Sequence, residues 1–131
     1  MSRDKFEAVR TNVAALNERD VDRYLACCTA DVELVPATGA IEGGYIGRRG
    51  IERFFADLRD AAADFQVETE RLEVVRGNVL AFERGSASGR ASEVPGQMAF
   101  TTVYEFEGSR IRRIRVFLDR EQALEAVGLR E

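Results

Sequence analysis

The apolar residues of this chain change their spacing once, near Phe65, and that change limits the fold more than any single motif does. Before it, they recur every three to four positions, the repeat that gathers side chains on one face of an α-helix. Phe6, Val9, Val13 and Leu16 make one such stripe between about residues 3 and 17. Asp20 is placed to cap a second helix in which Val21, Tyr24, Leu25 and Cys28 share a face. A third begins at Gly50 and buries Ile51, Phe54, Phe55 and Leu58. Between the second and third, Val32, Leu34 and Pro36 alternate with Asp31, Glu33 and Val35, a short strand that stops at Pro36, and Gly43 to Gly47 reads as loop.

From Phe65 onward the period is two, with strands expected near 65–76, 79–90, 97–107 and 110–118. Gly-containing connections such as Arg76-Gly77-Asn78 and Glu107-Gly108-Ser109 suit antiparallel neighbours. Phe65 and Val67 lie on one parity while Leu72 and Val74 lie on the other, so a β-bulge is expected between Glu68 and Arg71. A final short helix is capped by Asp119 and ended by Gly128. Together these predict an α+β cone: N-terminal helices packed on a strongly curved, mostly antiparallel sheet that encloses a cavity.

At 131 residues and 45% hydrophobic content, the chain is one ordinary domain, 1–131, able to bury a core without disulfide or metal. A net charge of −4 with dispersed basic residues argues against a nucleic-acid partner. Adjacent Cys27 and Cys28, expected on a helix, point about 100 degrees apart and read as reduced core residues. The sequence has no His, which removes the commonest general base and the commonest metal ligand; neither metal nor cofactor is expected. No run approaches the ~20 apolar residues of a membrane span, and the N-terminus lacks an apolar signal core, so a cytoplasmic protein without a membrane partner is expected.

Gly44 to Phe55 and the ending Phe117 to Leu124, set in three helices followed by a long bent sheet, resemble the nuclear transport factor 2-like superfamily, and within it the SnoaL-like branch. The resemblance implies the cone fold and leaves activity open, because that scaffold is shared by isomerases, cyclases, dehydratases, epoxide hydrolases and non-catalytic modules. Val13 to Asn17 is also similar to the start of ketosteroid isomerase, whose catalysis relies on pKa tuning of its acid and oxyanion groups. The isomerase's base, tyrosine and aspartic acid fall near Pro36, Asn12 and Thr102, so none of its catalytic residue types is retained.

Arg84 follows Leu80 and Phe82 on one parity and is expected to point into the cavity, where a buried guanidinium demands an anionic partner or ligand. Phe82, Ser86 and Ser88 share that parity, and Phe100, Thr102 and Tyr104 line the next strand. Val116 and Leu118 follow with Ile114 on the last strand, while Pro36, Tyr24 and Tyr45 approach from the helix side. Arg84 and Tyr104 are candidates to stabilise negative charge on a substrate, and Asp119 and Glu33 are nominal candidates for a proton-transfer base. The outward residues Arg113, Arg115 and Phe117, beside Ala99, Thr101 and Val103, form a mixed surface suited to a homodimer. The leading expectation is a small-molecule-binding protein that moves a proton on a partly apolar carbonyl or acidic compound without a cofactor. A non-catalytic ligand-binding or dimerisation module and an epoxide hydrolase-like enzyme are the alternatives.

Overall fold

The computed structural model describes residues 2–37, 44–87 and 97–128. Helix α1 (Ser2–Glu18) and helix α2 (Val21–Ala26) form a hairpin, followed by β1 (Cys28–Val35), a two-residue strand β2 (Tyr45–Ile46) and helix α3 (Gly47–Ala62). Strands β3 (Gln66–Val75), β4 (Asn78–Ser86), β5 (Gln97–Glu107) and β6 (Arg110–Phe117) then lead into α4 (Arg120–Ala126). One six-stranded sheet runs β2-β1-β6-β5-β4-β3. Its pairings are antiparallel except between β1 and β6, which run parallel. The sheet is therefore mixed, and it curls without closing around the helices.

Local chemistry sets the element ends. Asp20 caps α2 by accepting from Arg23 N at 3.0 Å, and Asp119 caps α4 by accepting from Glu121 N at 2.9 Å. Gly128 ends α4 at φ +86°, a conformation that costs glycine least. Register slips between Thr69 and Arg71, so the bulge falls where the change of phase in the sequence predicts it. Three boundaries differ from expectation, the first being the start of α3, which lies at Gly47 rather than Gly50. Cys27 is the C-cap of α2 and Cys28 already opens β1, because the backbone turns into the strand as Ile111 N donates to Cys27 O at 2.9 Å. The segment before α3, read as loop, pairs as β2 with Glu33 and Leu34.

The main core lies on the concave side. There Val9, Val13 and Ala15 of α1, Tyr24 of α2, and Ile51 and Phe55 of α3 meet Val32, Leu34, Val79, Ala81, Tyr104, Ile111 and Ile114. A second, smaller cluster lies on the convex side, where Ala123 and Val127 cover Leu80 and Val103. Val103 is thus buried under α4 and is not part of the free outer surface expected from the sequence.

At the free edge, β3 is held by the end of α1. The Asn17 amide donates to Val67 O at 2.9 Å and accepts from Val67 N at 2.8 Å, standing in for the missing neighbour strand. Arg19, at φ 59°, donates to Leu16 O at 2.8 Å, Ala63 O at 2.9 Å and Phe65 O at 3.0 Å, tying the helical hairpin to the chain that enters β3. Asn17→Ala removes both partners of Val67 and is expected to lower stability by about 1–3 kcal/mol, read as a lower urea midpoint with unchanged slope. An unchanged midpoint would show that this fastening contributes nothing.

Candidate functional site

Between the helices and the concave face lies a cavity of about 320 Å³. Helix α1 supplies Asn12, Val13 and Leu16 to its wall, α2 supplies Tyr24, and α3 supplies Phe54 and Leu58. The sheet contributes Leu34, Val67, Glu83, Met98, Phe100, Thr102, Tyr104, Ile114 and Val116, with Pro36, Ala37, Phe65 and Leu118 towards its ends. Two larger depressions, of about 450 and 490 Å³, are more open and mix charged with apolar and small residues, and the first shares Glu83, Phe100 and Leu118 with the smaller cavity. The smaller cavity is the better candidate, because it combines an apolar lining with a few convergent polar groups.

Glu83 is the one carboxyl group among the described residues that line it. Only 3% of this residue is exposed. Thr102 Oγ1 donates to Glu83 Oε1 at 2.9 Å, and Thr69 Oγ1 lies 3.1 Å from Oε2. Burial pushes the carboxyl pKa up to about 7, although the two hydroxyls, by favouring the ionised form, pull it back. Tyr24 and Tyr104 are both buried, and burial first, with the nearby Glu83 charge adding to it, raises their hydroxyls well above the ordinary value. They remain neutral donors at any pH near neutrality. The Asn12 amide donates to Tyr24 O at 3.2 Å and lies 3.8 Å from Cys28 Sγ, which fixes its orientation. Burial pushes the Cys28 thiol up to about 12, which leaves it protonated and a poor nucleophile.

Some of the residues that the sequence directs to the cavity line it, and others do not. Tyr24, Pro36, Phe100, Thr102, Tyr104, Ile114, Val116 and Leu118 line the cavity as expected. Arg84 does not. Its side chain is 39% exposed on the opposite face and Nε donates to Glu70 Oε2 at 3.0 Å. Phe82 also lies outside, its ring between the guanidinium groups of Arg71, 4.7 Å from the centroid, and Arg120, at 5.2 Å. Ser86 shares that parity and is not in the cavity wall, and Ser88 lies outside the described residues. Tyr45 donates to Asp57 at 2.6 Å rather than lining the cavity. Neither nominal base reaches it: Asp119 is the α4 cap, and Glu33 points outward, 3.8 Å from Arg113.

The error on β4 has a physical source. Both parities of this strand are apolar, Val79 and Ala81 against the core and Leu80 and Phe82 under or beside α4, so alternation alone does not say which side faces inward. Pairing resolves it, since Glu83 stands opposite Phe100 and Ala81 opposite Thr102. The expected helix after the last strand was the available signal that the convex face of β4 is also covered.

A curled, unclosed sheet wrapped on N-terminal helices around an apolar cavity defines a protein of the nuclear transport factor 2-like class. The model of the SnoaL-like domain matches residues 9–114, and the chain belongs to that family. No curated protein matches the chain. Among solved structures, TerC co-crystallised with polyporic acid is 18% identical over 95% of this chain and 97% of its own, at a TM-score of 0.77. An NTF2-like protein from Burkholderia pseudomallei is 17% identical over 95% and 98%, at 0.74. A putative polyketide cyclase from Sinorhizobium meliloti is 17% identical over 84% and 93%, at 0.68. At these identities the likeness is one of fold.

Burial of Glu83 also links stability to pH. Its folded pKa, about 7, lies above the ordinary 4.5, so the folded state holds a proton that the unfolded state has released between those values. That contribution to stability is fully present below about 4.5 and is lost as pH rises through about 7. Glu83→Gln removes the titration. From pH 4.5 to 8, the stability difference between the variant and the parent should move in the variant's favour by about 3 kcal/mol, measured by urea unfolding at both ends. Parallel pH curves would show that Glu83 does not titrate with folding.

Proposed function

We propose that the cavity binds a small, mostly apolar carbonyl compound and that Glu83 transfers a proton on it. The Glu83 carboxylate takes a proton from the carbon beside the carbonyl, and the electron pair of that C–H bond moves into an enolate. A phenol hydroxyl of Tyr104 or Tyr24 donates a hydrogen bond to the enolate oxygen as its charge develops. Protonated Glu83 then returns the proton to another carbon of the conjugated system, an isomerisation, or the enolate carbon attacks a second carbonyl of the same molecule, whose C=O π pair moves onto oxygen as the ring closes, and the resulting alkoxide takes the proton back from Glu83. No external oxidant or reductant enters either balance.

The observation that carries this reading is a single buried carboxyl, held by two threonine hydroxyls at 2.9 and 3.1 Å, in a cavity with no second carboxyl among its described lining residues. A general base works best with a pKa near the operating pH, and burial brings Glu83 to about 7. The same observation disfavours epoxide hydrolysis, which needs an inward cluster of carboxylates to position water. The fold likeness to a putative polyketide cyclase and to a protein co-crystallised with polyporic acid agrees with a small organic ligand. We also infer a cytoplasmic homodimer, joined through the part of the outer face of β5 and β6 that α4 leaves uncovered. There Arg112, Arg113 and Arg115 converge on Glu105, at 3.4, 3.2 and 2.6 Å.

Hydrogen–deuterium exchange beside the carbonyl of small cyclic enones, followed by NMR in deuterated buffer, tests the chemistry before the natural substrate is known. The parent should accelerate exchange with a profile that rises through a midpoint near 7, and Glu83→Gln should lower the rate about 100-fold or more. Exchange by the variant at the parent's rate, or none by the parent across a panel of such compounds, would leave a ligand-binding module as the account.

A further inference from the structure

We infer that the ligand of this cavity is uncharged, and that the site selects against carboxylates and ammonium compounds of the same shape. The inference rests on the reading of the cavity as the binding site and adds the charge class of what it holds. Among the described residues, none of the lining side chains is Lys or Arg. Arg84, which the sequence directs inward, is tied to Glu70 at 3.0 Å on the other face, and Arg71 and Arg120 lie against the outer side of Phe82. An anionic ligand would lose its hydration in a chamber lined chiefly by Leu, Val, Phe and Met, with no cation among the described lining residues to replace the water. It would also share that low-dielectric space with Glu83, where two neighbouring carboxylates cannot both stay ionised without strong repulsion.

A cation fares little better. Each oxygen of Glu83 already accepts from a threonine hydroxyl, and an ammonium group paired with this single carboxylate would still bury its other N–H donors against a mostly apolar wall, so the pair would not offset its own desolvation. The remaining polar groups of the wall are the Asn12 amide, the Thr102 hydroxyl and the phenols of Tyr24 and Tyr104. These are neutral donors and acceptors, suited to one or two carbonyl or hydroxyl oxygens on an apolar skeleton. The cavity, about 320 Å³, equals about ten water molecules of liquid volume, room for a skeleton of one or two fused rings.

Three probes of matched shape separate the classes: 2-acetylnaphthalene, 2-naphthoate and 1-(2-naphthyl)ethylamine, titrated calorimetrically at pH 8.5, where Glu83 is mostly ionised. The ketone should bind at least about tenfold more tightly than either ion, a free-energy difference of about 1.4 kcal/mol. In Glu83→Gln the penalty against naphthoate should shrink several-fold, and in Arg84→Ala the naphthoate affinity should stay within about twofold of the parent. Naphthoate or the ammonium probe binding as tightly as the ketone, or a tenfold loss of naphthoate affinity in Arg84→Ala, overturns the inference. Failure of all three probes to bind at millimolar concentration overturns it together with the cavity as binding site. Neutral selectivity without enone exchange keeps the charge class and rejects proton transfer by Glu83; exchange without neutral selectivity does the reverse.

Discussion

An open sheet that curls needs something to hold its free edge, and here the hold is a side-chain amide. Asn17 offers Val67 the same donor and acceptor that a neighbouring strand would, at 2.9 and 2.8 Å, and so covers the start of this edge strand. Arg19 adds three carbonyl contacts around the turn into β3. Because Asn17 and Arg19 follow the α1 residues that wall the cavity, the distance between α1 and β3 is fixed by hydrogen bonds rather than by filling the space between them. Such fastening helps keep the apolar surfaces on either side of the cavity from closing to contact.

Glu83 shows the tension that this arrangement carries. A carboxyl in an apolar chamber disfavours its own ionisation, and its two threonine partners offset part of that penalty without supplying a charge. A cationic partner would have fixed it as a permanent carboxylate, stable but reluctant to take a proton. Hydroxyl partners leave it poised between both forms. The arrangement trades a share of folded-state stability at alkaline pH for a group that can exchange protons near neutrality.

Much of this architecture is legible in the sequence because it rests on local periodicity. The Asp20 and Asp119 caps, the bulge between Thr69 and Arg71, and the inward parities of β5 and β6 follow from residues within a few positions of one another. What is not legible depends on partners distant in the chain. Strand β4 is covered on both faces, so Arg84 and Glu83 exchange places relative to the reading by alternation, and the carboxyl that lines the cavity is missed by one residue. The end of α2 at Cys27 is likewise set by Ile111, which no local pattern at Cys27 announces. Short β2 exists only because β1 is there to pair with it.

The parallel pairing of β1 with β6 has a consequence for the order in which the molecule is made. Arg110 donates to Cys28 O across 82 positions of chain, and Leu34 pairs with Ile114 over a comparable interval. Until β6 has been synthesised, β1 and the short β2 beside it have no sheet to join, and the apolar face of the helical hairpin has only part of its cover. Loop-closure entropy opposes this pairing more than it opposes the β3–β4 and β4–β5 hairpins, which join nearer neighbours. The cavity wall is completed by β6, the strand furthest along the chain from the β1 it pairs with among the described residues.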